Sequence, residues 1–132
     1  MFKIPIKSSK RNEIIDITSE VIDFVKSSKI ESGLCVVFCP HTTGGIFINE
    51  NYDGDVKLDI IRKFDELIKN EDYFKHSEGN SDSHIKTMLV GSSETIIIDN
   101  DKLMLGTWQG IFFYEFDGPR SRNVFIKVIK DK

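Results

Sequence analysis

The sequence predicts a single α+β domain, mostly antiparallel sheet packed with about three helices. Strand-like and helix-like runs are interspersed without a regular strand–helix–strand alternation, and several connections have hairpin character. Apolar residues recur at helical spacing in only a few short segments. No repeat, linker or low-complexity tract divides the 132 residues, a length that one domain with a real core accommodates.

Taken in order, Phe2–Lys7 and Asn12–Ile17 each alternate or nearly so. The polar link Ser8-Ser9-Lys10-Arg11 predicts an N-terminal hairpin, with Pro5 placing the first strand at an edge. Thr18 reads as a helix N-cap, Ile17, Val21, Phe24 and Val25 as an apolar stripe, and Gly33 as the end of that segment. Leu34-Cys35-Val36-Val37-Phe38-Cys39 reads as a buried strand, and Gly45–Asn49 as another. An acidic turn follows, where Asp53 or Asp55 caps a helix running to about Lys69. Val56, Ile60, Phe64, Leu67 and Ile68 share one of its faces. Residues 85–91 read as a short helix started by Ser81 or Asp82 and ended by Gly91, with a strand as the alternative for so short a run. Strands over Thr95–Ile98, Ile111–Phe116 and Val124–Ile129, and a brief one at Leu103–Leu105, complete the chain. The aromatic run Phe112, Phe113, Tyr114 and Phe116 exceeds what one strand face needs, which predicts burial on both faces.

Hydrophobic residues make up 39% and charged residues 30%, as expected of a folded chain. The net charge of -3 argues against a nucleic-acid partner, which needs a basic face. No apolar run approaches a membrane span, and Met1-Phe2-Lys3-Ile4-Pro5 lacks a signal-peptide core, so the expectation is a cytoplasmic protein without membrane or nucleic-acid partners. Cys35 and Cys39 share a strand face too far apart to bridge and read as buried thiols.

Chemistry concentrates in two polar stretches. His76-Ser77-Glu78-Gly79-Asn80-Ser81-Asp82-Ser83-His84 carries two of the three histidines and no apolar side chain; Pro40-His41-Thr42-Thr43-Gly44-Gly45 carries the third. His41, His76 and His84 with Glu78 and Asp82 are donors suited to a divalent metal, zinc by the imidazoles or magnesium by carboxylates. The bland alternative is that Ser81 and Asp82 cap a helix while the histidines are incidental. Gly79-Asn80-Ser81-Asp82 entering a helix, and the hydroxyls of Thr42 and Thr43, suit an anion. Asp53 and Asp55 are read either as helix-start acids or as magnesium ligands. Trp108, between glycines, is read as a stacking platform or a structural residue. Arg120 and Arg122, two apart, form either a phosphate clamp or surface pairs with Glu115 and Asp117.

Five segments together resemble the YjbQ-like family, which is associated with secondary thiamine-phosphate synthase activity. They are His41–Thr43, Ile46–Asp53, His76–Lys86, Leu105–Phe113 and Glu115–Arg120. The resemblance implies a trimeric α+β domain with a polar pocket where the histidine loops meet. It carries a pocket role to His41, Glu50, His76, Glu78, Asn80, Asp82, His84 and Arg120. Where the family has alanine after Thr43 and proline after Asp53, this chain has Gly44 and Gly54.

The expectation is therefore a homotrimeric, metal-assisted enzyme acting on a small phosphorylated or anionic metabolite. Glu78, Asp82, His84 and Arg120 are the expected catalytic residues, and His41, His76 and His84 the metal ligands. Thr42, Thr43, Glu50, Asn80, Ser81, Trp108 and Arg122 are the expected ligand-binding set. For thiamine-phosphate synthesis, Asp53 and Glu78 would hold a metal on a diphosphate, while Arg120 and the loop amides neutralise the leaving group. Two rivals use the same residues: a metal-dependent hydrolase with Glu78 as base, and a non-catalytic trimeric binder of small molecules.

Overall fold

The computed structural model describes residues 1–132. Its elements are β1 (Phe2–Lys7), β2 (Glu13–Asp16), α1 (Thr18–Ser28), β3 (Gly33–Phe38), β4 (Gly44–Glu50) and α2 (Gly54–Leu67). They are followed by α3 (Ser81–Val90), β5 (Ser93–Asp99), β6 (Lys102–Leu103), β7 (Gln109–Glu115) and β8 (Ser121–Lys130). The strands form a five-stranded sheet, β1-β8-β3-β5-β6, and a three-stranded sheet, β2-β7-β4. Every pairing is antiparallel. The α+β class and the three helices stand as the sequence predicts. No helix is long and apolar enough to cross a membrane.

The core lies between the sheets and follows the period of two that strands impose. Ile4, Ile6, Cys35, Val37, Ile96, Ile98, Val124 and Ile126 point inward from the large sheet. Ile46, Ile111 and Phe113 come from the small sheet, and Val21 and Val25 from α1. The other face of the small sheet carries Phe47, Phe112 and Tyr114, on which Phe64 of α2 and Phe116 stack. The aromatic strand is thus buried on both faces, as its composition predicts.

Several local expectations change. β1 and β2 do not form a hairpin: β1 pairs with β8 and β2 with β7, in different sheets. Each strand's alternation is satisfied by a partner about a hundred residues away. Pro5 does lie on an edge strand. The run 34–39 alternates instead of being wholly buried, with Cys35, Val37 and Cys39 inside and Leu34 and Phe38 exposed. Both thiols are free, and burial pushes Cys35 up to about 11. Thr18 opens α1 without capping it: Asp16 accepts from the Thr18 N–H at 2.9 Å, and the Thr18 hydroxyl accepts from the Ile111 N–H at 2.9 Å. α1 stops at Lys29 in the left-handed region (φ 56°), and Gly33 opens β3 rather than closing the helix.

Asp53 caps α2, accepting from the Asp55 N–H at 2.9 Å, so its carboxylate serves the helix. The apolar face of α2 is only partly covered: none of its residues is fully buried. α3 spans Ser81–Val90 and ends at Gly91, settling the choice between helix and strand there. Gly44 has a packing reason, since a β-carbon would lie 2.6 Å from Cζ of Phe113. Gly118, in the turn between β7 and β8, is held against the backbone of the β1–β2 link, where a β-carbon would lie 2.2 Å from the Lys10 carbonyl oxygen.

Gly54 is the first residue of α2, nothing lies within 4 Å of a β-carbon built there, and Asp53 before it is extended (φ -98°, ψ 115°). Proline fits a first helical position and tolerates an extended predecessor. Gly54→Pro is therefore expected to stabilise the fold by about 0.5–1 kcal/mol, through the unfolded chain. Thermal or urea unfolding checks this, and a lowered midpoint contradicts the assigned start of α2.

Candidate functional site

At one end of the sandwich the inward series of two strands change from apolar to charged. Ile111 and Phe113 of β7 are followed by Glu115, and Ile126 and Val124 of β8 are preceded by Arg122. Glu115 is 0% and Arg122 6% exposed. Arg122 Nε donates to Glu115 Oε1 at 2.9 Å, and its Nη2 bonds the other carboxylate oxygen. Nη2 also reaches the Thr43 hydroxyl at 2.7 Å. Ser8 Oγ donates to Glu115 Oε1 at 2.7 Å and accepts from the Arg120 N–H at 2.8 Å. Burial raises Glu115, but the hydrogen bonds from Arg122 and Ser8 outweigh it, so the carboxyl titrates below its ordinary range.

Above this pair lies an open cavity of about 430 Å³, lined by eleven residues, none of them hydrophobic. The β3–β4 loop contributes Pro40, His41, Thr42 and Thr43. His76, Glu78, Asn80 and His84 come from the approach to α3 and its first turn, and Asp117, Arg120 and Arg122 from the β7–β8 connection. The three histidines therefore share one cavity, as expected from their two loops.

His41 Nε2 accepts the Asn123 N–H at 2.9 Å. Burial and the charge of Arg122 lower its pKa, so it stays neutral near pH 7 with its proton on Nδ1. The rings of His76 and His84 meet edge-on, 5.3 Å between centroids at 79°. Asn80 Nδ2 donates to Asp117 Oδ2 at 2.8 Å, and Arg120 Nη2 donates to the same oxygen at 2.8 Å.

The metal expectation meets a specific obstacle. No group of three His, Cys, Asp or Glu side chains converges as a metal site requires. His41 in particular has one nitrogen engaged as acceptor and the other protonated, which leaves no lone pair for an ion. By donor chemistry His76, His84 and Glu78 remain suitable, but the three do not meet, so a resident three-ligand centre does not fit this chain as it stands.

Other expected site residues lie elsewhere. Asp82 faces inward and is held by both guanidinium nitrogens of Arg11, at 3.0 and 3.1 Å. Burial raises its pKa and the Arg11 bonds outweigh this, leaving it lowered. It docks α3 and does not reach the cavity. Ser81 is the first residue of α3 and does not line the cavity. Glu50 ends β4 opposite Gln109. Trp108 is 56% exposed and packs edge-on against Tyr52, 4.9 Å between centroids. Arg122 does not form a free clamp with Arg120, because each guanidinium already holds a carboxylate. Asp117 lines the cavity although the sequence reading assigns it only to a turn. Glu115 has a legible signal, a carboxylate at inward parity in an aromatic strand.

The family model described as UPF0047 protein YjbQ-like matches residues 2–131. The chain is 54% identical to the UPF0047 protein MJ1081 of Methanocaldococcus jannaschii, over 100% of this chain and 96% of that one. It is 51% identical to the UPF0047 protein YugU of Bacillus subtilis, over 96% of each. Among solved structures, a conserved protein of the yjbq/upf0047 family from Clostridium acetobutylicum superposes with a TM-score of 0.95 at 53% identity, over 98% of this chain and 100% of that one. A YbjQ-like protein from Sulfolobus solfataricus gives 0.94 at 30% identity, over 98% and 96%.

Because Glu115 binds protons less readily folded than unfolded, its contribution is complete above the unfolded pKa and is lost as pH falls through the lowered folded value. Glu115→Gln is expected to cost about 3–5 kcal/mol near neutral pH by stranding the Arg122 charge. It should also flatten the loss of stability below about pH 5. Urea denaturation across pH checks both; a variant as stable as wild type contradicts the account.

Proposed function

The chain belongs to the YjbQ-like UPF0047 family, and from its own cavity we propose that it is an enzyme acting on a small phosphorylated metabolite, with thiamine-phosphate synthesis as the candidate reaction. The observation that carries this is a cavity of small-molecule size with no hydrophobic lining, into which imidazoles, arginines and a hydroxyl loop all face. In that reaction the C–O bond of an activated pyrimidine diphosphate breaks and a C–N bond to a thiazole phosphate forms. Pyrophosphate leaves with the electron pair of the broken bond. His76, His84, Arg120 and the Thr42–Thr43 loop are the donors that hydrogen-bond the departing oxygens, preorganised electrostatic stabilisation of the kind that dominates such displacements. Glu78 faces the same volume as an acceptor. Trp108 takes no part in this cavity. His76, His84 and Glu78 have the donor chemistry for a divalent ion, zinc or magnesium, but they do not converge on one point, so the displacement rests on the chain's own side chains.

A homotrimer belongs to the same proposal. It is supported by the outer face of the five-stranded sheet, where Leu34, Phe38, Ile97 and Ile129 are 39%, 43%, 60% and 48% exposed. Leu34 is in register with both Ile97 and Ile129, so these three side chains form one apolar patch, and Phe38 lies on the same face of β3 four residues along, in register with Phe125. The expected mass in solution is three times the 15.1 kDa chain, and Phe38→Glu is expected to release monomer. Light scattering on the eluting protein decides between this and a wild-type monomer.

For the reaction, the protein is incubated with the pyrimidine diphosphate and the thiazole phosphate, and thiamine phosphate is followed chromatographically. Turnover is expected in wild type, with a loss of about 10²-fold or more in His84→Ala. No product above the enzyme-free control, or undiminished product in His84→Ala and His76→Ala, contradicts the proposal.

A further inference from the structure

At the far end of the small sheet from the cavity, two aromatic rings stand in solvent on a fixed base. The β4–β7 ladder runs from Gly44 opposite Glu115, beneath the cavity, to Glu50 opposite Gln109. Just past that second pair, Tyr52 is 78% and Trp108 56% exposed, and the two rings meet edge-on. Their turns are locked together. The Asn51 N–H donates to the Trp108 carbonyl at 2.7 Å, and Asn51 Nδ2 donates to Asp16 Oδ2 at 2.9 Å. Gly110 leaves room for the asparagine, since a β-carbon there would lie 2.7 Å from Asn51 Cβ. Gln109 closes the other turn, its Oε1 accepting from the Gly106 N–H at 2.8 Å. Aromatic surface already held in one place costs little to order on binding, one reason tryptophan and tyrosine dominate interface hot spots.

The charge around the rings is one-sided. Glu50, Asp53 and Asp55 make no ion pair within the chain. Lys57, the cation beside them, is already engaged: its Nζ donates to Asn51 Oδ1 at 3.3 Å and lies 4.8 Å over the Phe112 ring. Aromatic faces next to unpaired carboxylates suit one side chain above others. A guanidinium stacks on a ring while its N–H groups bond a carboxylate in pairs; an anion would be repelled, and an apolar group would leave the acids unused. A second copy of this chain does not supply that group, because Arg11, Arg62, Arg120 and Arg122 each already pair with a carboxylate.

We propose that this end of the molecule docks an arginine-bearing, basic segment of another protein, its guanidinium against Trp108 and Tyr52 and paired with Glu50. The surface is separate from the histidine cavity and does not depend on the reaction proposed there.

Trp108 is the only tryptophan, so its emission reports on this surface alone. A short peptide of alternating glycine and arginine is titrated into the whole protein, and the same peptide with glutamine for arginine is the control. The emission is expected to change saturably, with the arginine peptide binding about tenfold or more tightly than the control. Its binding should weaken as salt rises. Tyr52→Ala and Glu50→Gln should each cut the preference about fivefold or more, with the thermal midpoint unchanged. Equal affinity for the two peptides, no saturable change at millimolar peptide, or an undiminished preference in both variants overturns the proposal. So does an emission change on diluting the protein alone, in step with dissociation of an oligomer, since that places a second copy over the rings.

Discussion

The buried pair between Arg122 and Glu115 is the constraint on which the rest of the cavity depends. It closes the open end of the sandwich where two inward-facing strand series run out of apolar residues. A charge pair there cannot be relaxed cheaply, because removing either member leaves the other buried alone. The pair also fixes everything above it. Arg122 holds Thr43 and so the histidine loop, Ser8 ties the β1–β2 link to the Arg120 backbone, and the Asp117 N–H caps the second Glu115 oxygen at 3.1 Å. The cavity floor is therefore rigid for electrostatic reasons, while its rim of His76, Glu78 and Arg120 is exposed and free to meet a ligand.

The wall opposite is set by how α3 docks. Asp82 and Lys86, one turn apart, are both buried, the first on Arg11 and the second on Asp65 at 2.6 Å. Ser83 Oγ donates to the Phe116 carbonyl at 2.7 Å. A helix held by charged and hydroxyl groups along its inner side presents its other side, Asn80 and His84, to the cavity. The site is thus a by-product of polar docking: the same nine-residue stretch supplies the anchors and the cavity lining.

That phase explains what the sequence could and could not show. The concentration of imidazole in two polar loops was enough to locate the cavity, because such segments have no place in a core. The existence of α3, its start at Ser81 or Asp82 and its end at Gly91 also followed from local signals, although Asn80 rather than either of them stands at the N-cap. Assigning Asp82 to chemistry failed because residues 80 and 84 share one helical face and 82 and 86 another, and only the packed body says which faces in. Likewise β1 and β2 read as a hairpin because each alternates on its own; their true partners, β8 and β7, lie about a hundred residues on. Trp108 looked like a stacking platform among glycines, and its packing on Tyr52 is a tertiary fact no spacing records. Glu115 was the legible clue left unused, since a carboxylate at inward parity demands a buried cation.

The central claim is that the three histidines bound one phosphate-binding volume. Nitrogen-edited NMR of the imidazoles during a titration with pyrophosphate tests it most directly. The account predicts that resonances of His41, His76 and His84 shift together, with one dissociation constant. Saturable binding that leaves these resonances unmoved, or no binding at all, would contradict it.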